Sequence, residues 1–300
     1  MNSVSGHKTL QEVWRLGAER LSQAGVEEAA ADAELLLLHL LGKSKAELLR
    51  DWREPFAAEL EGAWEALLRR REAGEPVQYV TGEQYFYGRR FAVSPAVLVP
   101  RPETELLAEA LLAAGDRLWP DSVDGGGGPT VLDVGTGSGA LAVTLAAERP
   151  GWRVTASDLS PDALDVARGN AAAHGVDGRI WFVQGDLLKP FLAETEVEPI
   201  DILVSNPPYI PSGDVLGLQR EVREFEPHLA LDGGTDGLDP YRRMTADLRK
   251  LQKMPRVVAF EVGAGQADDV AELLRAAADW DDVGFVIDYA GIKRHVIAIR

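Results

Sequence analysis

Thr130-Val131-Leu132-Asp133-Val134-Gly135-Thr136-Gly137-Ser138-Gly139 reads as a strand running into a glycine-rich turn. Its first five residues are the short apolar run of a buried parallel strand, and a helix to Glu148 follows the last glycine. The alternation continues on the C-terminal side. Trp152 to Ser157 is a second strand, ending at Asp158. Ser160 then caps a helix that has Pro161 at its first position and runs to about His174. Ile180 to Gln184 is a strand ending in Gly185-Asp186, and Ile200 to Ser205 is another. A helix near Tyr241 to Gln252, a strand Val257 to Val262 and a helix Gln266 to Ala278 extend the pattern. The end breaks it: Phe285 to Tyr289, a turn through Gly291, and His295 to Ile299 read as an antiparallel pair. The expected fold class is therefore α/β, a doubly wound sheet with one reversed strand.

Asn206-Pro207-Pro208-Tyr209 leaves the carboxyl end of the strand that ends at Ser205, the edge where open α/β sheets bind ligands. Asn206 and Pro207 each precede a proline and are held extended, so the turn is stiff. It offers the Asn206 side-chain oxygen, the Pro207 carbonyl and the Tyr209 ring in fixed relation. Two acceptors and one aromatic face suit a planar –NH2 group. Taken alone, the same four residues are no more than a proline-rich turn after a strand.

Upstream, residues from about Lys8 to Ala73 read as helices only, with Leu10, Val13, Trp14, Gly17 and Leu21 at helical spacing. From Gly74 the texture changes, and Pro76 to Val99 reads as a hairpin linker. Pro100-Arg101-Pro102-Glu103-Thr104-Glu105 starts a helix, where Glu103 and Glu105 suit the positive helix end. The expected domains are 1–74 (helical, substrate-docking), 75–100 (hairpin linker) and 101–300. Asp121 to Gly128 reads as a solvent-exposed loop. Asp232 to Asp239 lacks the EF-hand spacing and terminal Glu, so a glycine-rich loop on the substrate side is expected there.

Composition narrows the function. The 300 residues carry no cysteine, which excludes disulfides and thiolate metal sites, and the five histidines lack ligand spacing, so no metal is expected. No apolar run is long enough to span a membrane and Met1 to Leu10 lacks a secretory core, so a cytoplasmic enzyme is expected. A net charge of −17 repels nucleic acid phosphates and favours a basic partner.

A strand, a glycine turn, a helix and an acid 19 residues past the last glycine form the plan for an adenosine-containing cofactor. Gly135, Gly137 and Gly139 build the turn, and Asp158 is the ribose acid. NAD, FAD and S-adenosyl-L-methionine all fit this plan. Three details favour the last of them. The glycines run G-x-G-x-G; Asp133 precedes them and suits a cationic cofactor; Asp186 ends the third strand, placed for the adenine amine. Asp186 also reads simply as a turn aspartate after glycine.

These motifs together resemble the HemK/PrmC family, the protein-(glutamine-N5) methyltransferases of peptide chain release factors. Beyond the glycine turn and Asn-Pro-Pro-Tyr, the resemblance is carried by Pro76-Val77-Gln78-Tyr79 with Thr81-Gly82, and by Val99 to Glu105. Val222-Arg223 with Glu226-Pro227, Asp236-Gly237-Leu238-Asp239, and Glu261-Val262-Gly263 with Gln266 complete it, so that it spans about Leu10 to Arg300. It implies a helical N-terminal domain, a β-hairpin linker and a class I methyltransferase domain with a seven-stranded sheet. It implies S-adenosyl-L-methionine as cofactor, S-adenosyl-L-homocysteine as product, and the Gln of a Gly-Gly-Gln motif in bacterial release factors as substrate. Asn206 and the Pro207 carbonyl would accept the amide hydrogens, while Pro208 and Tyr209 shape the slot. Gly135, Thr136, Gly137, Ser138, Gly139, Asp158, Asp186 or Leu187, and Asn206 would contact the cofactor, with 98–103 over its methionine side. Two other readings remain at this stage: an adenine-N6 methyltransferase on DNA or RNA, and a non-catalytic cofactor-binding partner of translation factors. The first would need base flipping and a basic surface, which the charge disfavours.

Overall fold

Strand β3, Thr130–Val134, is buried at every residue, so it needs apolar cover on both faces. The computed structural model, which describes residues 8–120, 127–192 and 198–300, supplies that cover. Residues 121–126 of the expected glycine loop and 1–7 of the N-terminus lie outside the described residues. β3 is flanked in parallel by β4, Arg153–Asp158, and β6, Ile202–Ser205. With β5 (Ile180–Gln184), β7 (Val257–Glu261), β8 (Asp282–Ile287) and β9 (Lys293–Ile299), the order is β5-β4-β3-β6-β7-β9-β8. β9 alone in this sheet runs antiparallel to its neighbours, as the class I methyltransferase fold requires.

Period-two alternation distributes the core. Val131, Ile202, Val257 and Ala259 face a cluster with Leu107 and Leu111 of α6 (Pro102–Leu118) and Leu145 of α7 (Ala140–Glu148). Leu132, Leu203, Val258 and Phe260 face the other side, with Tyr241 and Met244 of α10 (Asp239–Asp247) and Val270 and Leu274 of α11 (Ala267–Ala277). Burial of each such side chain contributes about 1.5–3 kcal/mol, which makes these two layers the main stabilising force of the sheet.

Contacts divide the chain into two units: residues up to Glu83 with Gln219–Phe225, and Gln84–Leu218 with Glu226–Arg300. The first is helical, with α1 (Leu10–Gln23), α2 (Ala29–Leu41), α3 (Lys45–Arg50) and α4 (Glu61–Glu72) around Leu21, Leu36, Leu37, Leu48 and Trp64. Thr9 and Ser44 each close a capping box with a Glu three residues on. Residues Val77–Thr81, expected within a hairpin, form a helical turn α5 that packs on α2 and α4 and is closed by Gly82 at φ 78°. The hairpin itself is β1, Glu83–Phe86, with β2, Arg89–Ala92. A short helix, α9 (Arg220–Phe225), joins the helical unit although it lies far along the chain; buried Arg71 pairs with both Asp32 and Glu221 at 2.6 Å.

Candidate active site

The strand order reverses between β3 and β6: the chain proceeds outward through β4 and β5, then returns to place β6 on the other side of β3. Ligands bind at such a switch point, beyond the carboxyl ends of the strands. The register then brings the two key motifs side by side. Val134 pairs with Ser205, so the next residues are Gly135 and Asn206. Ser205 pairs with Phe260, so Asn206 also neighbours Glu261. A cavity of about 480 Å3 opens here, within the size range of a cofactor site.

The glycine turn is built for close backbone approach. The Gly135 and Thr136 amides donate to the Ser157 carbonyl at 2.8 and 2.9 Å, which pins the turn to β4. Gly137 has φ 55° and a Cβ there would meet open space, so its glycine serves conformation and access, not packing. Gly139, at φ 81°, differs: a Cβ would lie 3.1 Å from Ala167 Cβ on helix α8, Pro161–Ala173. Asn170 of that helix donates to the Ser138 carbonyl at 2.8 Å and bonds both backbone groups of Ala92, tying the turn to the hairpin.

Two acids stand over this turn. Asp158 accepts from the Gly137 amide through Oδ2 and from the Ser160 amide through Oδ1, each at 2.9 Å. Burial raises its pKa despite those bonds. Asp133 is 1% exposed, and burial pushes it up to about 7. Thr136 Oγ1 donates to its Oδ2 at 2.7 Å, while Oδ1 has no hydrogen bond of good geometry, only the weaker pull of the Ala142 amide. Asp158 adds repulsion, and among the described residues no basic side chain offsets it. A buried carboxylate held without a counter-cation is a site prepared for a positive ligand.

Asp186 and Leu187 also line the cavity. Asp186 Oδ2 is engaged by Lys189 Nζ at 2.6 Å and Arg243 Nη2 at 2.5 Å, and its pKa is lowered, first by Lys189. Leu187 sits at φ 51°, a strained conformation for a leucine. Leu98, Pro100 and Arg101 close the cavity from the segment before α6.

Of the proline turn, Asn206 and Pro208 line the cavity, whereas Pro207 is buried and, like Tyr209, does not. Tyr209 packs with the core below the sheet, and burial pushes its phenol up to about 12. The turn is clamped from behind. Gln266 Nε2 donates to the Tyr209 carbonyl at 2.9 Å, and a Cβ on Gly237 would come within 2.2 Å of that same oxygen. A Cβ on Gly233 would lie 2.7 Å from the Pro208 carbonyl. The Asp232 to Asp239 loop therefore presses on the turn and shapes it. Among the described residues, no group of three or more His, Asp or Glu side chains is set to hold a metal ion.

A family model described as PrmC N-terminal domain matches residues 12–82, and one described as methyltransferase small domain matches 105–229. A release factor glutamine methyltransferase of Chlorobaculum tepidum is 45% identical over 269 residues, 90% of each chain. One from Bacillus anthracis is 41% identical over 278 residues, 93% of this chain and 94% of that one. The chain belongs to the release factor glutamine methyltransferase family. Among solved structures, the N-terminal domain of human METTL16 in complex with SAH is 16% identical with TM-score 0.53, covering 93% of this chain and 94% of that one, a likeness of fold alone. The cofactor of a methyltransferase of this family is S-adenosyl-L-methionine, and the site's chemistry fits it. Buried Asp133 and half-buried Asp158, neither paired with a basic side chain among the described residues, answer a cation that carries ribose hydroxyls, and the glycine turn leaves room beside them.

The sequence does not show what three residues of the site touch. Glu105, read there as helix-end charge, accepts from the Tyr87 amide at 2.8 Å and fixes the hairpin turn. Thr104 bonds across 157 residues to Glu261. Both Thr104 and Glu261 lie in stretches that carried the family resemblance; only the fold shows what they touch.

Proposed function

We propose that this chain methylates N5 of the glutamine side chain in the Gly-Gly-Gln motif of bacterial peptide chain release factors, with S-adenosyl-L-methionine as methyl donor. The observation that carries the reading is the orientation of Asn206 at the switch point. Its Nδ2 donates to Thr104 Oγ1 at 3.2 Å, so its Oδ1 is left to accept from a substrate –NH2 beside the glycine turn. A cytoplasmic setting, where release factors act, and a protein substrate without direct nucleic acid contact belong to the same reading. The acidic balance of −17 supports a basic protein partner over a polyanion.

The bound cofactor supplies a methyl group on a cationic sulfur, an electrophile that needs no metal or acid to activate it. The chain's task is to make an amide nitrogen, whose lone pair is delocalised, act as nucleophile. Asn206 Oδ1 and the Pro207 carbonyl accept its two N–H bonds. As positive charge builds on nitrogen these bonds strengthen, so they favour the transition state over the ground state. Pro208 lines the slot, and Tyr209 holds the turn through its packed ring and its carbonyl. The Tyr209 phenol, raised to about 12, stays neutral near pH 7 and does not serve as base. The substrate nitrogen takes the methyl as its bond to sulfur breaks, which would leave S-adenosyl-L-homocysteine, and the nitrogen then gives its proton to water. Asp133 would face the cationic side of the bound cofactor, Asp158 would hold its ribose, and Asp186 or Leu187 would meet its adenine.

Asp158→Ala removes a charged acceptor and frees the Gly137 amide, so affinity for S-adenosyl-L-methionine should fall about 10- to 100-fold by isothermal titration. An unchanged affinity would remove Asp158 from the cofactor site. The function itself is tested by offering methyl-labelled cofactor with an unmethylated release factor, and separately with duplex DNA and RNA. Label on the release factor, located by fragmentation to the Gly-Gly-Gln glutamine, is expected. Transfer to an adenine, or to no acceptor, would overturn the reading.

A further inference from the structure

Asn206 has two nearly isosteric ends, and only one of them is useful to an –NH2 substrate. What selects the end is a buried chain of groups behind it. Thr104, 5% exposed in the first turn of α6, donates its hydroxyl hydrogen to Glu261 Oε2 at 2.6 Å. A hydroxyl has one hydrogen, so with that spent on a carboxylate Thr104 Oγ1 meets Asn206 only as an acceptor. The Asn206 nitrogen must then face Thr104, and its oxygen must face away. Glu261, 1% exposed at the end of β7, is fixed in turn: Tyr241 Oη donates to its backbone carbonyl at 2.6 Å, and His295 Nε2 lies 3.5 Å from Oε2. A short O–H to carboxylate bond is among the stronger hydrogen bonds, and in a dry setting it holds its direction.

We infer that Thr104 and Glu261 are positioning residues for methyl transfer, a relay that sets which end of the Asn206 amide meets the acceptor nitrogen. The inference rests on the reading of Asn206 as the substrate's hydrogen-bond acceptor. Thr104 itself need not touch the substrate. Its effect passes through Asn206, and so it belongs in turnover and not in cofactor affinity.

The relay makes a particular demand on Glu261. Glu261→Gln keeps volume, yet its amide can donate to Thr104 Oγ1 and release the hydroxyl hydrogen toward Asn206, which favours the reversed amide. Thr104→Val keeps shape and removes the acceptor, whereas Thr104→Ser keeps the hydroxyl. The full-length protein, an unmethylated release factor and S-adenosyl-L-methionine are the reagents. Thr104→Val and Glu261→Gln should each lower kcat about 10- to 100-fold, with KM for the release factor and Kd for the cofactor close to the parent, and Thr104→Ser should restore most of kcat. In an Asn206→Ala background Thr104→Val should cost little more, because both act through one group. Equal losses for the Ser and Val variants, a loss seen in cofactor Kd instead of kcat, or full additivity with Asn206→Ala would each overturn the relay. Should Thr104→Val fail to fold by circular dichroism, Glu261→Gln decides on the same criteria. An impaired Asn206→Ala enzyme with unimpaired Thr104 and Glu261 variants would sink the relay and leave the Asn206 reading standing; a fully active Asn206→Ala enzyme would sink both.

Discussion

Asn206→Ala should lower single-turnover methyl transfer by about 10²- to 10³-fold, the scale seen when one preorganised transition-state hydrogen bond is removed. The substitution deletes one acceptor of the two that hold the substrate nitrogen, and leaves the glycine turn, Asp133 and Asp158 in place. Much of the affinity for S-adenosyl-L-methionine should therefore survive, and the loss should lie in kcat. Asn206→Asp is the sharper companion. It keeps an oxygen toward the substrate, but its second oxygen faces Thr104 Oγ1, whose hydrogen is given to Glu261. Two lone-pair surfaces then meet in a partly buried space, and the variant should also be impaired. Near-parental turnover of Asn206→Ala in a rapid-quench assay would remove the acceptor role.

Asp133→Asn should change how stability depends on pH. The folded pKa is raised, from 3.8 to about 7, so the folded protein holds a proton on this group that the unfolded chain gives up. Below about pH 4 both states are protonated and the group is neutral in effect. Between about pH 4 and 7 the unfolded state binds fewer protons, so stability falls as pH rises; above 7 the penalty levels off, at an upper scale of roughly 4 kcal/mol. Asparagine keeps the acceptor for Thr136 Oγ1 and removes the charge. The cofactor-free variant should melt above the parent, with a gap that widens from pH 4.5 to 7 and is then constant. Its affinity for the cationic cofactor should fall, so that stability and binding move in opposite directions. A gap independent of pH, seen by calorimetry, would show that Asp133 is not strained by burial.

The fold was legible because the helix and strand periods alternate cleanly from Thr130 onward, and β9 announces itself as a strand with no helix before it. The glycine turn and the proline turn were legible because both depend on local backbone rules. Elsewhere tertiary contact prevailed. Val77-Gln78-Tyr79-Val80 has the residues of a strand, yet Val77, Tyr79 and Val80 are buried in a helical turn on α2 and α4. Residues 219–225 join the helical unit through Glu221 and Arg71, and no local pattern announces a partner that far away. Tyr209 shows the limit of reading a motif in isolation. Its ring is used to anchor the turn, because Gly263 leaves space where a Cβ would stand 3.2 Å from Tyr209 Cδ2. Strand register sets Asn206 beside Glu261, and helix α6 brings Thr104 to both, so these contacts join parts of the chain too far apart for any local pattern to announce.

The most direct test is a crystal structure of the protein with S-adenosyl-L-homocysteine and a peptide containing Gly-Gly-Gln. The glutamine nitrogen should lie about 2.7–3.2 Å from Asn206 Oδ1, with the cofactor sulfur facing it across the gap that a methyl group would fill. A glutamine amide bound elsewhere, or an Asn206 whose nitrogen faces it, would contradict the account.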